Sequence, residues 1–286
     1  MKKRVGVTGA TGFIGKLLVQ SLITNGYDVT VFVRSKTPFS TNVNVIVGDF
    51  SDVEAIDAFL QSVDSVVHLV ARQVPPEDLF FEENVSITNA LIDRMVHFKI
   101  NQLIYLSTVA VYGDRDDSIH SENENCYPTT KYGETKYLAE QLCHYWKSRT
   151  HKKLTILRPF NVYGQGSTKG VIYNMIHNIR NNKPIILFGD GNQKRDFLYV
   201  DDIVKAILLS LKKENDGIFN LGTGESISLQ EIIAYLKKWS PKTVTVNVKP
   251  SEKEKPKNIF YSTANAQEKL GWKFSISIEE GLKKLL

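Results

Sequence analysis

Two segments of this 286-residue chain combine residue types that could do chemistry. The first is Thr8-Gly9-Ala10-Thr11-Gly12-Phe13-Ile14-Gly15. Gly9 permits a sharp strand-to-helix turn, Gly12 lets a pyrophosphate approach the backbone, and Gly15 lets a helix pack on its strand. The helix that follows offers free N–H donors to phosphates. This loop predicts dinucleotide binding. The second segment is Tyr132-Gly133-Glu134-Thr135-Lys136, in which Tyr132 and Lys136 stand four apart. On a helix such residues share a face. A tyrosine with its free pKa of ~10 is a poor base at neutral pH. A nearby ammonium and a nicotinamide cation would favour the phenolate. The pair could then move a proton at a sugar hydroxyl while hydride passes to or from a nicotinamide.

A second Tyr/Lys pair, Tyr127 and Lys131, has Pro128 after its tyrosine and reads as the loop entering the helix. Upstream, Leu103–Leu106 leads into Ser107-Thr108-Val109-Ala110-Val111-Tyr112-Gly113. A hydroxyl at that strand end would sit at the mouth of a sheet and could hold a reacting oxygen. Strand capping is the alternative for it. Cofactor choice is read at the end of the second strand, Phe32-Val33-Arg34-Ser35-Lys36. NAD-preferring folds place Asp or Glu there for the ribose 2′-hydroxyl. Here Arg34 could meet a 2′-phosphate, so the residues favour NADP, with NAD the alternative.

These groups need a scaffold. Strand-like runs at Arg4–Thr8, Val29–Val33, Val43–Val47, Ser65–Val70, Leu103–Thr108 and Leu154–Arg158 lack strict polar alternation, as strands buried on both faces do. Ile14–Asn25 carries helical spacing and ends at Gly26. Repeated β-α-β alternation predicts an α/β fold with a Rossmann-type, doubly wound parallel sheet and ligands at the strands' carboxyl ends. After about residue 165 the rhythm changes. Helices are expected at Val171–Asn181 and Leu229–Trp239, short strands at Ile185–Phe188 and Val244–Val248, and a charged loop at Ser251–Lys257. The expected division is a cofactor-binding domain over 1–165 and a smaller, mainly substrate-binding lobe over 166–286, with a segment near 195–222 returning to the first.

Composition narrows the partners. With 42% hydrophobic and 23% charged residues, a sizeable core is available. The net charge of +5 suits an anionic ligand. No basic stripe with interleaved aromatics points to nucleic acid. No apolar run reaches the ~18 residues of a membrane span. Two cysteines without a CxxC pair argue against a disulfide framework or a zinc site. The six histidines show no metal-like spacing, and no metal is expected. Without a signal-peptide pattern at the start, the expectation is a cytoplasmic protein.

Taken in order, these motifs resemble the extended short-chain dehydrogenases/reductases, and more narrowly the NAD-dependent epimerase/dehydratase family acting on nucleotide sugars. The later segments Leu157-Arg158-Pro159-Phe160-Asn161-Val162-Tyr163-Gly164, Arg195-Asp196-Phe197-Leu198-Tyr199-Val200-Asp201-Asp202 and Asn220-Leu221-Gly222-Thr223-Gly224 fit as well. The resemblance implies Thr108 as catalytic Ser/Thr, Tyr132 as acid/base and Lys136 as its cofactor-binding partner. It implies a cofactor lined by Gly9, Thr11, Gly12, Phe13, Ile14, Gly15, Asp49, Phe50, Leu69, Ala71, Arg72, Asn84 and Pro159. On the substrate side it implies Asn161, Val171, Arg195 and Lys255, and between subunits a homodimer through helices near 83–98 and 132–147. The 4,6-dehydratases of this family carry Asp-Glu directly after the threonine. Val109 and Ala110 cannot transfer protons, which disfavours dehydration and decarboxylation. Two reactions at carbon 4 remain: NADPH-dependent reduction of a 4-keto sugar nucleotide, favoured by Arg34, and 4-epimerisation, the alternative. A non-catalytic cofactor-binding sensor is the distant third.

Overall fold

The computed structural model describes residues 2–113, 119–250 and 260–286. Its strands are β1 (Arg4–Thr8), β2 (Asp28–Val33), β3 (Val43–Val47), β4 (Ser65–His68), β5 (Gln102–Leu106), β6 (Ile119–His120), β7 (Lys153–Pro159), β8 (Asn161–Tyr163), β9 (Ile185–Phe188), β10 (Lys194–Arg195), β11 (Phe197–Tyr199), β12 (Gly217–Leu221), β13 (Ile227–Ser228), β14 (Val246–Lys249) and β15 (Phe260–Tyr261). Its helices are α1 (Phe13–Thr24), α2 (Val53–Gln61), α3 (Leu79–Phe81), α4 (Ile87–Met95), α5 (Lys131–Thr150), α6 (Val171–Arg180), α7 (Val200–Lys213), α8 (Leu229–Trp239), α9 (Ala264–Glu268) and α10 (Ile278–Leu285).

Seven strands form one parallel sheet in the order β12-β7-β5-β4-β1-β2-β3. This is the doubly wound Rossmann-type architecture. Val5, Val7, Val29, Val31, Val66 and Val67 are fully buried, which explains why these strands lack polar alternation. On one face α1 and α7 pack through Leu18, Leu22, Ile203 and Ile207, with Trp272. On the other, α2, α4 and α5 contribute Phe59, Leu91 and Trp146. A separate cluster joins α6, α8 and α10 through Ile172, Met175, Ile232, Leu236 and Leu282. The sheet order reverses between β1 and β4, and such a switch point opens a ligand crevice.

Element ends differ where tertiary bonds intervene. The run expected over Ser65–Val70 leaves the ladder after His68, and the run over Leu103–Thr108 leaves it after Leu106. Thr108 instead caps a short 3-10 turn, Val109–Tyr112, accepting a hydrogen bond from the Ala110 N–H at 3.2 Å. The helix expected near 83–98 begins as a π-turn, Glu82–Ser86, and its α-helical part ends at Met95. The strand expected at Val244–Val248 is shifted to Val246–Lys249, in register with β9. The charged segment Ser251–Lys257 lies outside the described residues, as does Lys255.

Candidate active site

Helix α5 starts at a capped turn. Thr130 accepts a hydrogen bond from the Gly133 N–H at 3.1 Å. A Cβ at Gly133 would lie 2.5 Å from the Ala110 carbonyl oxygen. Glycine therefore lets the start of α5 press against the turn that Thr108 caps, and that contact brings Tyr132 to Thr108. The Thr108 hydroxyl neighbours the Tyr132 phenol and favours its ionised form. Phe80 closes the other side of the tyrosine ring, with centroids 6.2 Å apart. One turn on, the ammonium of Lys136 donates to the Leu106 carbonyl at 2.7 Å and lies 4.0 Å from the centre of the Tyr105 ring. Tyr127 of the other pair is exposed in the loop ahead of α5.

Without a cofactor, burial sets the electrostatics of the pair. It pushes the Tyr132 phenol up to about 12, with only the Thr108 hydroxyl opposing it. The ammonium is itself depressed: burial brings Lys136 down to about 7, against the raising influence of Cys143 and Glu140. Phenolate formation thus needs a positive charge brought by a ligand. A stability effect follows. The ordinary lysine value is 10.5, so between about pH 7 and 10.5 the unfolded chain binds the extra proton. This group's contribution to the ligand-free protein's stability therefore rises with pH across that window. Urea unfolding at about pH 7 and about pH 9.5 is expected to show this rise in the wild type and a smaller one in Lys136→Met. Equal slopes would refute the burial argument.

The glycine loop is shaped for an anion. At Gly15 a Cβ would lie 2.2 Å from the Gly9 carbonyl oxygen, so only glycine fits where α1 folds back on the loop. Gly12 caps α1 without a side-chain hydrogen bond, and no acidic residue occupies its first turn. The opening N–H groups of Phe13, Ile14 and Gly15 are aligned with the positive end of the helix dipole. Thr11 is exposed beside them. Beyond β3, Asp49 accepts from the backbone and hydroxyl of Ser51 (2.8 and 2.5 Å), which hold its carboxyl below the usual range. Phe50 packs edge-on against Phe32 at 5.0 Å and against His68 at 6.2 Å. Arg34 is exposed at the end of β2.

A network absent from the sequence reading joins this loop to α5. Thr8 meets His68 Nδ1 at 2.6 Å, and His68 Nε2 meets Thr88 at 3.1 Å. Thr88 donates to the Asn84 carbonyl at 2.7 Å. The Asn84 amide donates to the Arg72 carbonyl and to Thr135 of α5, both at 3.0 Å, and its oxygen accepts from the Arg72 N–H at 2.7 Å. Burial lowers the His68 pKa to about 3, so this histidine is a neutral joint. Asn84 thereby pins the segment after β4, with Leu69, Ala71 and Arg72, against the helix that carries Tyr132. Spacing could not reveal this, because its members come from β1, β4, the π-turn, α4 and α5.

Pro159 ends β7 and Asn161 opens β8, where its amide donates to the Asp196 carbonyl at 3.0 Å. Arg195 immediately precedes Asp196, on β10. The Asp196 carboxylate takes the Thr223 N–H, the Thr223 hydroxyl and the Gly224 N–H at 3.1, 2.8 and 2.9 Å. Val171 is the first residue of α6 and half-buried.

Comparison with known proteins shows the family. The model of the NAD dependent epimerase/dehydratase family matches residues 5–222.

The chain belongs to that family.

A putative UDP-glucose 4-epimerase from Methanocaldococcus jannaschii is 31% identical, with 98% of this chain and 96% of that protein aligned. The UDP-glucuronate 4-epimerase of Thermodesulfobacterium geofontis is 30% identical over 97% of this chain and 93% of its own length. Among solved structures, the UDP-glucuronic acid 4-epimerase of Bacillus cereus in complex with NAD superposes with a TM-score of 0.88 at 29% identity, covering 98% of this chain and 96% of that one. The chain is therefore an enzyme of the epimerase/dehydratase family. No helix among the described residues is long and apolar enough to cross a membrane.

Proposed function

We propose that this enzyme is an NAD-dependent 4-epimerase of a UDP-sugar. The observation that carries the reading is the grouping of Thr108, Tyr132 and Lys136 at the end of β5, beside two residues that cannot exchange protons, Val109 and Ala110. The relatives support epimerisation over the 4-keto reduction that Arg34 favoured, because the similar proteins above bear epimerase names. They support NAD over NADP in the same way, since the structural neighbour holds NAD. Arg34 is then an exposed strand-end residue.

The residues present fit this cofactor. The uncapped start of α1 with Gly12, Phe13, Ile14 and Gly15 would take its pyrophosphate. Asp49 and Phe50 would flank its adenine, and Tyr132 and Lys136 would hold its nicotinamide half. Residues 1–165 would bear it, and 166–286 mainly the substrate. When bound, it would supply the hydride acceptor and the returning hydride donor at carbon 4. Tyr132 takes the proton from the 4-hydroxyl and, once the 4-keto sugar has turned its other face for the returning hydride, gives the proton back to the same oxygen. Thr108 holds the same oxygen, and Lys136 supplies positive charge next to it. Asn161 and Arg195 hold the diphosphate. Leu138 and Tyr145, exposed seven apart on α5, support a homodimer through α4 and α5.

Incubation with UDP-glucose and UDP-glucuronate, followed by chromatography of the sugars, tests the reading. The 4-epimer is expected to accumulate to equilibrium without net change in reduced nicotinamide. Stoichiometric oxidation of NADPH by a 4-keto sugar nucleotide, with no epimer formed, would replace epimerase by reductase. Arg195→Ala is expected to raise KM for the UDP-sugar about tenfold, as loss of a charge-assisted phosphate contact does. An unchanged KM would remove it from the diphosphate site.

A further inference from the structure

Two basic residues lie on segments that adjoin the glycine loop: the segment after β4 packs on Gly9, and the loop after β8 on Phe13. Arg72 follows β4, pinned by its backbone to Asn84 and by its guanidinium to Glu83 at 2.6 Å. That ion pair uses one end of the guanidinium. The buried Nε of Arg72 has no hydrogen-bond partner among the described residues. Such a donor on a cation is costly unless an acceptor reaches it.

Lys169 lies on the loop between β8 and α6. The backbone there is set by the Ser167 hydroxyl, which donates to the Lys169 carbonyl at 2.9 Å, and by the Ser167 N–H, which donates to the Gly164 carbonyl at 3.2 Å. The same loop lies on the glycine loop: a Cβ at Gly166 would sit 3.9 Å from the Phe13 ring. Although Lys169 reaches solvent, burial and the repulsion of Arg72 both lower its pKa. Two like charges held within each other's field, with an orphaned donor on one, make a site for an anion. Phe13 places that anion at the start of α1.

The geometry points to Lys169 as a binding residue that closes, with Arg72, over the pyrophosphate of the dinucleotide held at α1. The inference rests on the reading of the chain as an NAD-binding enzyme and adds to it a bridge between the cofactor domain and the lobe that begins after β8. Closure by a loop of the second lobe would keep the cofactor on the enzyme between turnovers, which a reaction that returns its hydride requires. The substrate diphosphate is the competing occupant. It is disfavoured because the loop rests on Phe13, whereas Asn161 and Arg195 lie together at Asp196.

The test measures Kd for NAD by quenching of protein fluorescence, and separately Kd for UDP by calorimetry on NAD-loaded protein. Lys169→Ala is expected to raise Kd for NAD about tenfold, the scale of one charge-assisted phosphate contact. Lys169→Arg is expected to restore most of it, and added salt to weaken the wild type more than the alanine variant. Melting of the ligand-free variants at wild-type temperature confirms their folding, since Lys169 has only an exposed loop to disturb. An NAD Kd within twofold of wild type would overturn the inference, as would a loss confined to UDP. A wild-type protein that binds no NAD would instead overturn the proposed function, which keeps the two failures distinct.

Discussion

Replacing Tyr132 with phenylalanine is expected to lower turnover by roughly 10²–10⁴-fold, the range general acid/base groups contribute. The substitution removes one oxygen and keeps the ring that packs edge-on against Phe80. Fold and NAD affinity should therefore survive, so kcat falls while the NAD Kd stays close to wild type. The size of the effect follows from the site's composition. Val109 and Ala110 carry no proton to exchange, and Lys136 is committed to the Leu106 carbonyl. Thr108 holds an oxygen but is too weak an acid to substitute. Thr108→Ala should consequently cost less than Tyr132→Phe, in the lower part of the same range. Single-turnover kinetics with a UDP-sugar would check both. A phenylalanine variant retaining most of its activity would remove Tyr132 from the mechanism.

The largest stability effect is expected behind that tyrosine. Glu140, two turns along α5 from Tyr132, is completely buried and receives two hydrogen bonds from Arg158 of β7, at 2.9 and 2.5 Å. Arg158 is equally enclosed and lies 4.7 Å from the centre of the Tyr112 ring. Tyr112 in turn donates to Asn220 of β12 at 2.9 Å. Burial alone would depress Arg158, but the carboxylate keeps it charged. Glu140→Ala leaves that guanidinium charged in an apolar interior, and a loss of about 3–5 kcal/mol is expected in urea unfolding. Replacing both residues with apolar side chains of similar volume should cost less than the single change, because neither charge is then stranded. A single-variant loss below about 1 kcal/mol would show that water reaches the pair. The ion pair ties the helix bearing Tyr132 and Lys136 to the sheet, so partial loss of activity should accompany the lost stability.

Much of the fold was legible because parallel strands buried on both faces write themselves as short β-branched runs. β1, β3 and β9 match their expected bounds, and α8 matches residue for residue. Strand ends were less legible. Ser107 still donates its N–H to the Leu157 carbonyl of β7 at 2.7 Å, but Thr108 turns away from the sheet because it caps the next turn. The glycine loop and the Tyr132/Lys136 pair could be read because their chemistry depends on local spacing. The Glu140–Arg158 pair spans helix and strand, and no spacing rule connects its members.

The sequence by itself determined the doubly wound sheet, the glycine-rich turn between β1 and α1, the spacing of Tyr132 and Lys136 on one helix, and the family, all encoded in contiguous residues. Only the tertiary structure decided how those pieces meet: that Gly133 presses α5 against the Thr108 turn, that Asn84 spends its amide on Arg72 and Thr135, and that the loop carrying Lys169 adjoins Phe13. It also decided the ligand-free state of the Tyr132 phenol, because desolvation is set by every atom that the fold packs around it.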